Sequence, residues 1–307
     1  GPIFSREGYT LTGWNTAPDG SGAAVELGGR IQGEDGLTLY AQWSPWSAPE
    51  LFQWREGPDG AVITAYLGSE HTAAVPARLG GLPVRTIAAG AFAAAPCQSA
   101  VLPDTLSALE PGAFAGCPLQ EVWLFDSIRT VAGAFDGCGS LRTLHLNAAE
   151  PPVYSGTYFD TFSDKLDRLL SLKDRRKIVL FSGSSTRFGF DCPAIDAAFP
   201  GYEVVNMGVY AYTNAMPQME LILSCMGPGD VLVHCPEFDA SKRQFCTTSD
   251  LDAAFFNMVE SSYDALARLD LRGYTNVFPA LEDYLRAKAG MAAKSYDLSP
   301  ADFDEDG

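Results

Sequence analysis

Apolar and polar residues follow three different patterns along the chain, and each pattern predicts a different architecture. Over residues 1–46, two segments rich in aromatic and β-branched residues, GYTLTGWNT and LTLYAQW, flank a polar, glycine-rich stretch, which predicts strands of a small β module. Over residues 52–150, short apolar segments recur at a nearly constant interval. Over residues 151–307, apolar runs alternate with helical patterns, which predicts a parallel sheet with crossover helices. A multidomain chain is therefore expected.

The second region is internally repetitive. The tripeptide GAF occurs three times, and its phenylalanines, Phe92, Phe114 and Phe135, are 22 and 21 residues apart. This interval lies within the roughly 20–29 residues of leucine-rich repeats. Since each repeat can bury its apolar face only against its neighbours, the units are predicted to stack as a short solenoid that serves as a spacer or a small binding surface.

The cysteines of these repeats extend the resemblance. The segments AFAGCPLQEV and AFDGCGSLRTL resemble the BspA-type leucine-rich repeat, with Cys117 and Cys138 at the cysteine position of that family. The first copy, AFAAAPCQSA, carries Cys97 two places later, which predicts a distorted turn. His145, in TLHLN, is expected to be an ordinary strand residue.

The first region resembles a surface repeat of Listeria and Bacteroides proteins, the B repeat of internalin-B type. The matching segments are GYT at 8–10, GW at 13–14, DGSG at 19–22 and LYAQW at 39–43. The resemblance implies a small β-grasp-like stalk module on a bacterial surface protein, with its expected first strand cut off. Trp14 and Trp43 are predicted to anchor the core, and ligand binding through these aromatics is the alternative.

In the third region, three apolar runs predict strands and five segments predict helices. The strands are KIVLFS, YEVVNMG and GDVLVHCPEF. The helices are TFSDKLDRLLSLKDRRK, PAIDAAFP, NAMPQMELILSCM, TSDLDAAFFNMVESSYDALARL and NVFPALEDYLRAKAGM. Thr248 or Ser249, followed by acidic residues, is the expected cap of the fourth helix.

The composition restricts the function. The 307 residues contain 21 Lys and Arg against 38 Asp and Glu, a net charge of −17, which argues against nucleic acid and anionic membranes as partners. No apolar run approaches the roughly 18 residues that a membrane span needs, so no membrane insertion of these residues is expected. The seven cysteines lack a CxxC pair, which argues against a zinc site and a full disulfide framework. Buried free thiols are expected, with no metal and no cofactor.

Candidate chemistry lies where the predicted parallel strands end, because sites in such sheets form at that edge. The stretch SGSST at 182–186 follows the first strand, where a helix start offers N–H groups that can hold an oxyanion. Glycine at 183 is expected to permit a sharp turn. The second strand ends near Gly208 and the third near Glu237. Plain helix capping is the alternative role of the serines.

These strand ends resemble the SGNH/GDSL hydrolase superfamily, and GSSTRFGFD is similar to the GSSxxxGxD variant of bacterial SGNH-like proteins. The resemblance implies a three-layer, flavodoxin-like α/β fold, with Ser185 as nucleophile and the N–H groups of Ser185 and Gly208 as oxyanion donors. The third block, Gly-x-Asn-Asp, is not matched, because Glu237 stands in place of its asparagine. Asn214 is the alternative oxyanion donor.

The fourth block of that superfamily, Asp-x-x-His, is absent from the 307 residues, so the general base for Ser185 is missing. His71 and His145 belong to other regions, and His234 lies inside the third predicted strand, where a structural role is expected. Either the histidine follows residue 307 in a longer chain or the domain is inactive. The abrupt start and end of the sequence favour a fragment.

The candidate substrate contacts are Ser184, Arg187, Tyr210 and Tyr212. Ser184 stands at the aspartate position of the first family block. For Arg187, the alternatives are pairing with an anionic group near the helix start and exposure to solvent. For the two tyrosines, the alternatives are lining the mouth of a site for a sugar or acyl group and packing in the core. The absence of a Walker pattern disfavours a phosphate-binding loop.

Two functions are compatible with these features. As an enzyme, the third region is a surface-anchored serine esterase that removes acyl groups from a glycan or cell-wall polymer. As a binding protein, the repeats and the β module contact a host surface protein or glycan, and the α/β domain is not catalytic. The extracellular or cell-surface location is implied by the resemblance of the two repeat modules.

Overall fold

The computed structural model describes residues 4–25, 27, 36–93, 95–209, 214–236 and 250–294. The chain forms two compact units, Gly1–Pro151 with Tyr263–Gly290 and Pro152–Ser262 with Met291–Gly307. This division differs from the three predicted regions, since the segment 263–290, expected in the α/β domain, belongs with the repeats.

The first unit begins with a three-stranded antiparallel sheet in the order β2-β1-β3. Its strands are β1 (Tyr9–Asn15), β2 (Ala24–Val25) and β3 (Tyr40–Pro45). The two predicted strands correspond to β1 and β3, which pair directly. Trp14 and Trp43 pack against a small buried cluster, as expected of core anchors. The cluster consists of Leu11, Leu27 and Phe125.

A repeat array follows, introduced by a short 3₁₀-helix at Pro49–Leu51. Its strands are β4 (Phe52–Glu56), β5 (Ala61–Tyr66), β6 (Thr72–Ala74), β7 (Arg78–Leu79), β8 (Leu82–Ile87), β9 (Ser99–Val101), β10 (Ala108–Leu109), β11 (Glu121–Phe125) and β12 (Thr143–Asn147). One sheet is parallel throughout, in the order β12-β11-β9-β6. The other has the order β10-β8-β5-β4, with β7 antiparallel to β8.

Aromatic rings stack from each turn of the array to the next. The ring centroids are 4.8 Å apart for Tyr66 and Phe92, 4.4 Å for Phe92 and Phe114, and 5.2 Å for Phe114 and Phe135. The glycines of the three GAF tripeptides have φ between 72° and 74°, a left-handed conformation that glycine adopts without steric cost. The predicted stacking of 21- and 22-residue units is therefore present.

The second unit contains a parallel sheet in the order β14-β13-β15, so the first predicted strand is the central one. Its elements are α1 (Thr161–Ser171), β13 (Lys177–Phe181), α2 (Ser184–Gly189), α3 (Cys192–Ala198), β14 (Glu203–Asn206), α4 (Ala215–Ser224), β15 (Val231–His234) and α5 (Ala253–Met258). Ile178 and Leu180 of β13 pack against Cys192 at the start of α3. The first helix, α1, contacts β14, α4 and α5.

A buried ion pair fixes the amino end of β13. Lys177 Nζ lies 2.8 Å from Asp230 Oδ2, and Lys177 N donates to Asp230 Oδ1 at 2.9 Å. Burial alone raises the pKa of Asp230, but the hydrogen bonds from Lys177 and from Gly227 N hold this pKa below its ordinary value. The carboxylate is therefore ionised where the strand begins.

One predicted helix is interrupted. The two expected caps, Thr248 and Ser249, lie outside the described residues, and Asp252 caps α5 instead by accepting a hydrogen bond from a backbone N–H. The helix ends at Met258. Two residues later, the buried Glu260 accepts the backbone N–H groups of residues 153 and 154 at 2.8 and 2.6 Å. The remainder of the predicted helix belongs to the first unit.

The segment 263–290 closes the last turn of the repeat array. It comprises 3₁₀-helices at Tyr263–Arg268 and Leu271–Gly273, and α6 (Val277–Lys288). Phe278 of α6 extends the aromatic stack at 4.4 Å from Phe135. Leu271 N donates to Arg142 O at 3.0 Å, just as Arg142 N donates to Gln120 O at 2.9 Å one turn earlier. We call this segment the capping segment, and residues 152–262 separate it in sequence from the array.

Candidate active site

The first strand end places Ser185 at the surface. The central strand ends at the buried Phe181, and α2 begins at Ser184 after Gly183. Ser184 is partly buried, whereas Ser185 is exposed. Gly183 has φ −82° and ψ −154°, an extended conformation that any residue can adopt. Contrary to the expectation, these backbone angles do not require glycine at this position. Ser185 is thus the more accessible of the two candidate serines.

The second strand end is packed directly against α2. Asn206, the last residue of β14, donates through Nδ2 to Thr186 O and Arg187 O at 3.1 and 3.2 Å. A Cβ atom on Gly208 would lie 2.3 Å from Arg187 N, so only glycine fits this approach. Asn206 Oδ1 also accepts the Gly208 N–H at 2.8 Å. The donor that the resemblance assigns to the oxyanion therefore binds a side chain of its own strand end.

One buried cation holds the segment after β14, and a second packs at the start of α1. Lys165 Nζ of α1 donates to Gly208 O at 2.9 Å. Arg187 is 6 % exposed, donates through Nη1 to Thr161 Oγ1 at 2.9 Å, and places its guanidinium 4.8 Å from the centre of the Tyr158 ring. The solvent-facing alternative for Arg187 is wrong, because the side chain packs between α1 and the residues before it. Sequence reasoning missed Lys165, which appears as one of many charges in DKLDR.

The other predicted oxyanion donor has a structural role. Asn214 caps α4, since its Oδ1 accepts Met216 N at 3.1 Å, and its Nδ2 donates to Asp250 O. These bonds engage both ends of the side-chain amide. The predictions for Tyr210, Tyr212 and Glu237 lie outside the described residues, and the described part of the third strand end stops at Pro236.

The three histidines are distributed over both units. His234 is the last residue of β15, and its ring stacks on Phe181 with centroids 5.5 Å apart. Burial lowers the pKa of His234, so the imidazole is neutral at neutral pH. In the first unit, His145 lies in β12 and stacks on Trp123 at 4.1 Å, as expected of a strand residue, while His71 is exposed.

A second candidate site, the aromatic groove, lies within the first unit between the β module and the repeat array. It has a volume of 330 Å³, and its lining includes Arg6, Tyr9, Trp43, Trp46, Arg78, Asp104 and Phe125. The Trp46 ring is held by a hydrogen bond from Nε1 to Thr10 Oγ1 at 3.0 Å. The Arg6 guanidinium stacks 3.9 Å from the centre of the Tyr9 ring. The groove thus combines fixed aromatic faces with a charged rim.

Comparison with known proteins gives short matches only. No protein-family model matches the chain. A protein of Evansella cellulosilytica, provisionally named a Gly-rich membrane protein, is 38% identical over 72 residues, which is 23% of this chain and 8% of that protein. A second protein of this organism, provisionally named a membrane protein, is 55% identical over 42 residues, 13% of this chain and 6% of that protein. The chain thus spans less than a tenth of the length of either relative.

Among solved structures, the crystal structure of a T. pallidum leucine-rich repeat protein matches with 26% sequence identity and a TM-score of 0.30. The match covers 44% of this chain and 60% of that protein chain. That score is too low to support a shared fold, so the repeat architecture rests on the ring stacking and strand pairing described above. Across the described ranges, no helix is both long and apolar enough to cross a membrane. The same ranges contain no cluster of three or more His, Cys, Asp or Glu side chains that could hold a metal ion.

Proposed function

We propose that residues 152–262 carry the nucleophile of a serine-dependent acyl hydrolase of the SGNH type, with Ser185 as that nucleophile. One observation carries the proposal: Ser185 is exposed beyond the central parallel strand, and the backbone at Gly208, after the neighbouring strand, packs against the helix that bears it. A serine on a strand-to-helix turn at this edge of a sheet is the position of the nucleophile in many α/β hydrolases.

The charges around this turn favour a developing anion. Lys165 Nζ contacts Gly208 O, and the buried Arg187 follows Ser185 by two residues in α2. Both are positive groups in a chain of net charge −17. Because screening is weak in a protein interior, buried cations lower the energy of an oxyanion formed close to them. The Gly208 N–H donates to Asn206 Oδ1 in the structure. It can therefore act as an oxyanion donor only when the substrate oxygen replaces Asn206 Oδ1 as its acceptor.

The proposed reaction is transfer of an acyl group to Ser185 and then to water. Ser185 Oγ attacks the acyl carbon, the alcohol leaves, and water hydrolyses the acyl-enzyme. The resemblance assigns the general base to a histidine in an Asp-x-x-His block, which these 307 residues do not supply. The proposed substrate is an O-acylated glycan or cell-wall polymer at the bacterial surface. The membrane-protein names of both E. cellulosilytica relatives support a location at the cell envelope.

The test is covalent labelling with a fluorophosphonate in the longest natural chain that contains these residues. Peptide mapping is expected to place the label on Ser185, and Ser185→Ala is expected to abolish labelling while the matched variant Ser184→Ala retains it. Hydrolysis of p-nitrophenyl acetate should likewise be lost in Ser185→Ala and retained in Ser184→Ala. An unlabelled natural chain, or a label that survives Ser185→Ala, would rule out Ser185 as the nucleophile.

The aromatic groove favours a second candidate function, the binding of a cell-wall glycan by the first unit. Its volume of 330 Å³ falls within the range of about 300–1,000 Å³ of small-ligand sites, and tryptophan faces with a polar rim suit sugar rings. Sedimentation with insoluble peptidoglycan tests this function. Trp46→Ala should lower the bound fraction at least tenfold, whereas Trp54→Ala, outside the groove, should not. Equal retention of the two variants would exclude the groove.

A further inference from the structure

The cysteines of the repeat array form a column of buried thiols. Cys97 and Cys117 are 0 % and 1 % exposed, and their Sγ atoms are 3.2 Å apart. Cys117 Sγ also contacts two carbonyl oxygens of the preceding turn, Ala95 O at 3.1 Å and Cys97 O at 3.4 Å. Cys138 Sγ likewise contacts a carbonyl oxygen of the preceding turn, Phe114 O, at 3.1 Å. What distinguishes Cys97 and Cys117 is the direct contact between their two sulfur atoms.

The displaced position of Cys97 explains this contact. Strands β9 and β11 pair Ser99 with Glu121, which sets the register between the two turns. In this register Ala95 corresponds to Cys117, and Cys97 corresponds to the buried Leu119. Cys97 thus takes the place of a core leucine, and its smaller side chain leaves room for the thiol of the following turn.

We propose that Cys97 and Cys117 form a disulfide that links two successive turns of the repeat array when the protein folds in an oxidising environment. The oxidant is a small-molecule disulfide such as oxidised glutathione. One of the two cysteine thiolates attacks one sulfur of this molecule and releases one glutathione thiolate. The other cysteine thiolate then attacks the protein sulfur of the mixed disulfide and releases the second glutathione thiolate. The protein loses two electrons and two protons, and the oxidant is reduced to two thiols.

The burial of both thiols determines when they can react. Cys97 and Cys117 are shielded from solvent in the folded array, so a small-molecule disulfide cannot reach either sulfur there. The contact with Cys97 and burial also raise the pKa of the Cys117 thiol, and the thiolate is the reactive form. Oxidation is therefore expected during folding, before the turns close over the two thiols.

Peptide mapping tests the disulfide directly. The whole chain is unfolded, refolded with reduced and oxidised glutathione, then denatured and alkylated without reduction. Trypsin leaves Cys97 and Cys117 together in peptide 86–129 and Cys138 in peptide 130–142. The first peptide is expected to carry no alkyl group and to be lighter by two hydrogen atoms than its reduced form. Cleavage of this peptide before Asp104 should then give two fragments that stay joined through the disulfide.

Two results would overturn the proposal: two alkyl groups on peptide 86–129, or a bond from it to any other cysteine peptide. A second measurement uses the melting temperature of the first unit. Reduction should lower it by about 5 °C in the wild type and in Cys138→Ser. Cys117→Ser should show no such difference between oxidised and reduced samples. Loss of the shift in Cys138→Ser would assign the bond to a different pair. None of these results depends on the proposed hydrolase.

Discussion

Lys288 Nζ of the capping segment lies 2.7 Å from Asp126 Oδ2 at the end of β11, and the two side chains are 2 % and 0 % exposed. The other carboxylate oxygen accepts the backbone N–H groups of Ala149 and Glu150 at 2.6 and 2.9 Å. Lys288 Nζ is also 3.3 Å from Tyr263 OH. One buried carboxylate therefore joins the last strands of the array to the segment that caps them.

Removal of one member of this pair should destabilise the first unit strongly. Lys288→Met leaves the Asp126 carboxylate buried without its cation, which costs about 3–5 kcal/mol in the free energy of unfolding. The double variant Asp126→Asn, Lys288→Met should recover part of this loss, because the buried charge is gone. Urea unfolding monitored by tryptophan fluorescence measures the effect. The fluorescence reports on the first unit, since all five tryptophans lie before residue 151.

The matched control is Arg272→Met in the same segment. Arg272 pairs with Asp270, but 55 % and 47 % of these side chains are exposed. Exposed pairs contribute about 0–1 kcal/mol, so this variant should unfold almost as the wild type does. Similar losses for Arg272→Met and Lys288→Met would contradict the special role of the buried pair.

The repeats and the strand ends could be predicted because their signals are local. The GAF interval gives the stacking of Phe92, Phe114 and Phe135 without knowledge of distant residues. The capping role of 263–290 could not be predicted, because an amphipathic helix does not specify its partner, and Asp126 is 162 residues from Lys288. At the candidate site, Ser185 could be selected from the sequence because it follows a local strand-to-helix signal. The approach of Lys165 and Arg187 to Gly208 could not be predicted, because these residues lie on α1 and α2.

Glu282 should give the first unit a specific sensitivity to acid. Its Oε2 accepts Val131 N and Ala132 N at 2.7 and 2.8 Å. Burial alone raises the pKa of Glu282, but these two hydrogen bonds and the neighbouring Arg286 hold it below its ordinary value. A carboxyl group with a lowered pKa stabilises the fold above its unfolded pKa, about 4.3, and this contribution is lost as the pH falls through the folded value.

Glu282→Gln should therefore lower the unfolding free energy by about 1–3 kcal/mol at pH 7. The difference from the wild type should shrink below about pH 4, where the wild-type carboxyl group is protonated as well. Urea titrations between pH 3 and pH 7 measure this convergence. A difference that stays constant over this range would show that the charge of Glu282 is irrelevant to its contacts.

Gly208→Ala should disrupt the second strand end, because the new Cβ atom would lie 2.3 Å from Arg187 N and 2.7 Å from Arg187 Cα. Both are backbone-defined positions, so α2 must move. Overpacking of this kind costs roughly 1–3 kcal/mol. Gly189→Ala, at the end of the same helix, meets no atom within 4 Å and is the control. Hydrogen exchange of peptides covering 182–189 and 203–209 should accelerate in the first variant only.

Lys165 offers a test of the electrostatic part of the proposed hydrolase. Lys165→Met retains most of the buried side-chain volume but removes the ammonium group that contacts Gly208 O at 2.9 Å. With the buried cation gone, an oxyanion beside Ser185 should be less stable, and fluorophosphonate labelling of Ser185 should slow about tenfold, less than for loss of a direct oxyanion donor. Arg168→Met, an exposed change on the same helix, should leave the rate unchanged. If both variants label at the wild-type rate while Ser185→Ala remains unlabelled, Lys165 only supports the fold. Slower labelling in Lys165→Met with unaltered hydrogen exchange at 203–209 would assign the effect to its charge.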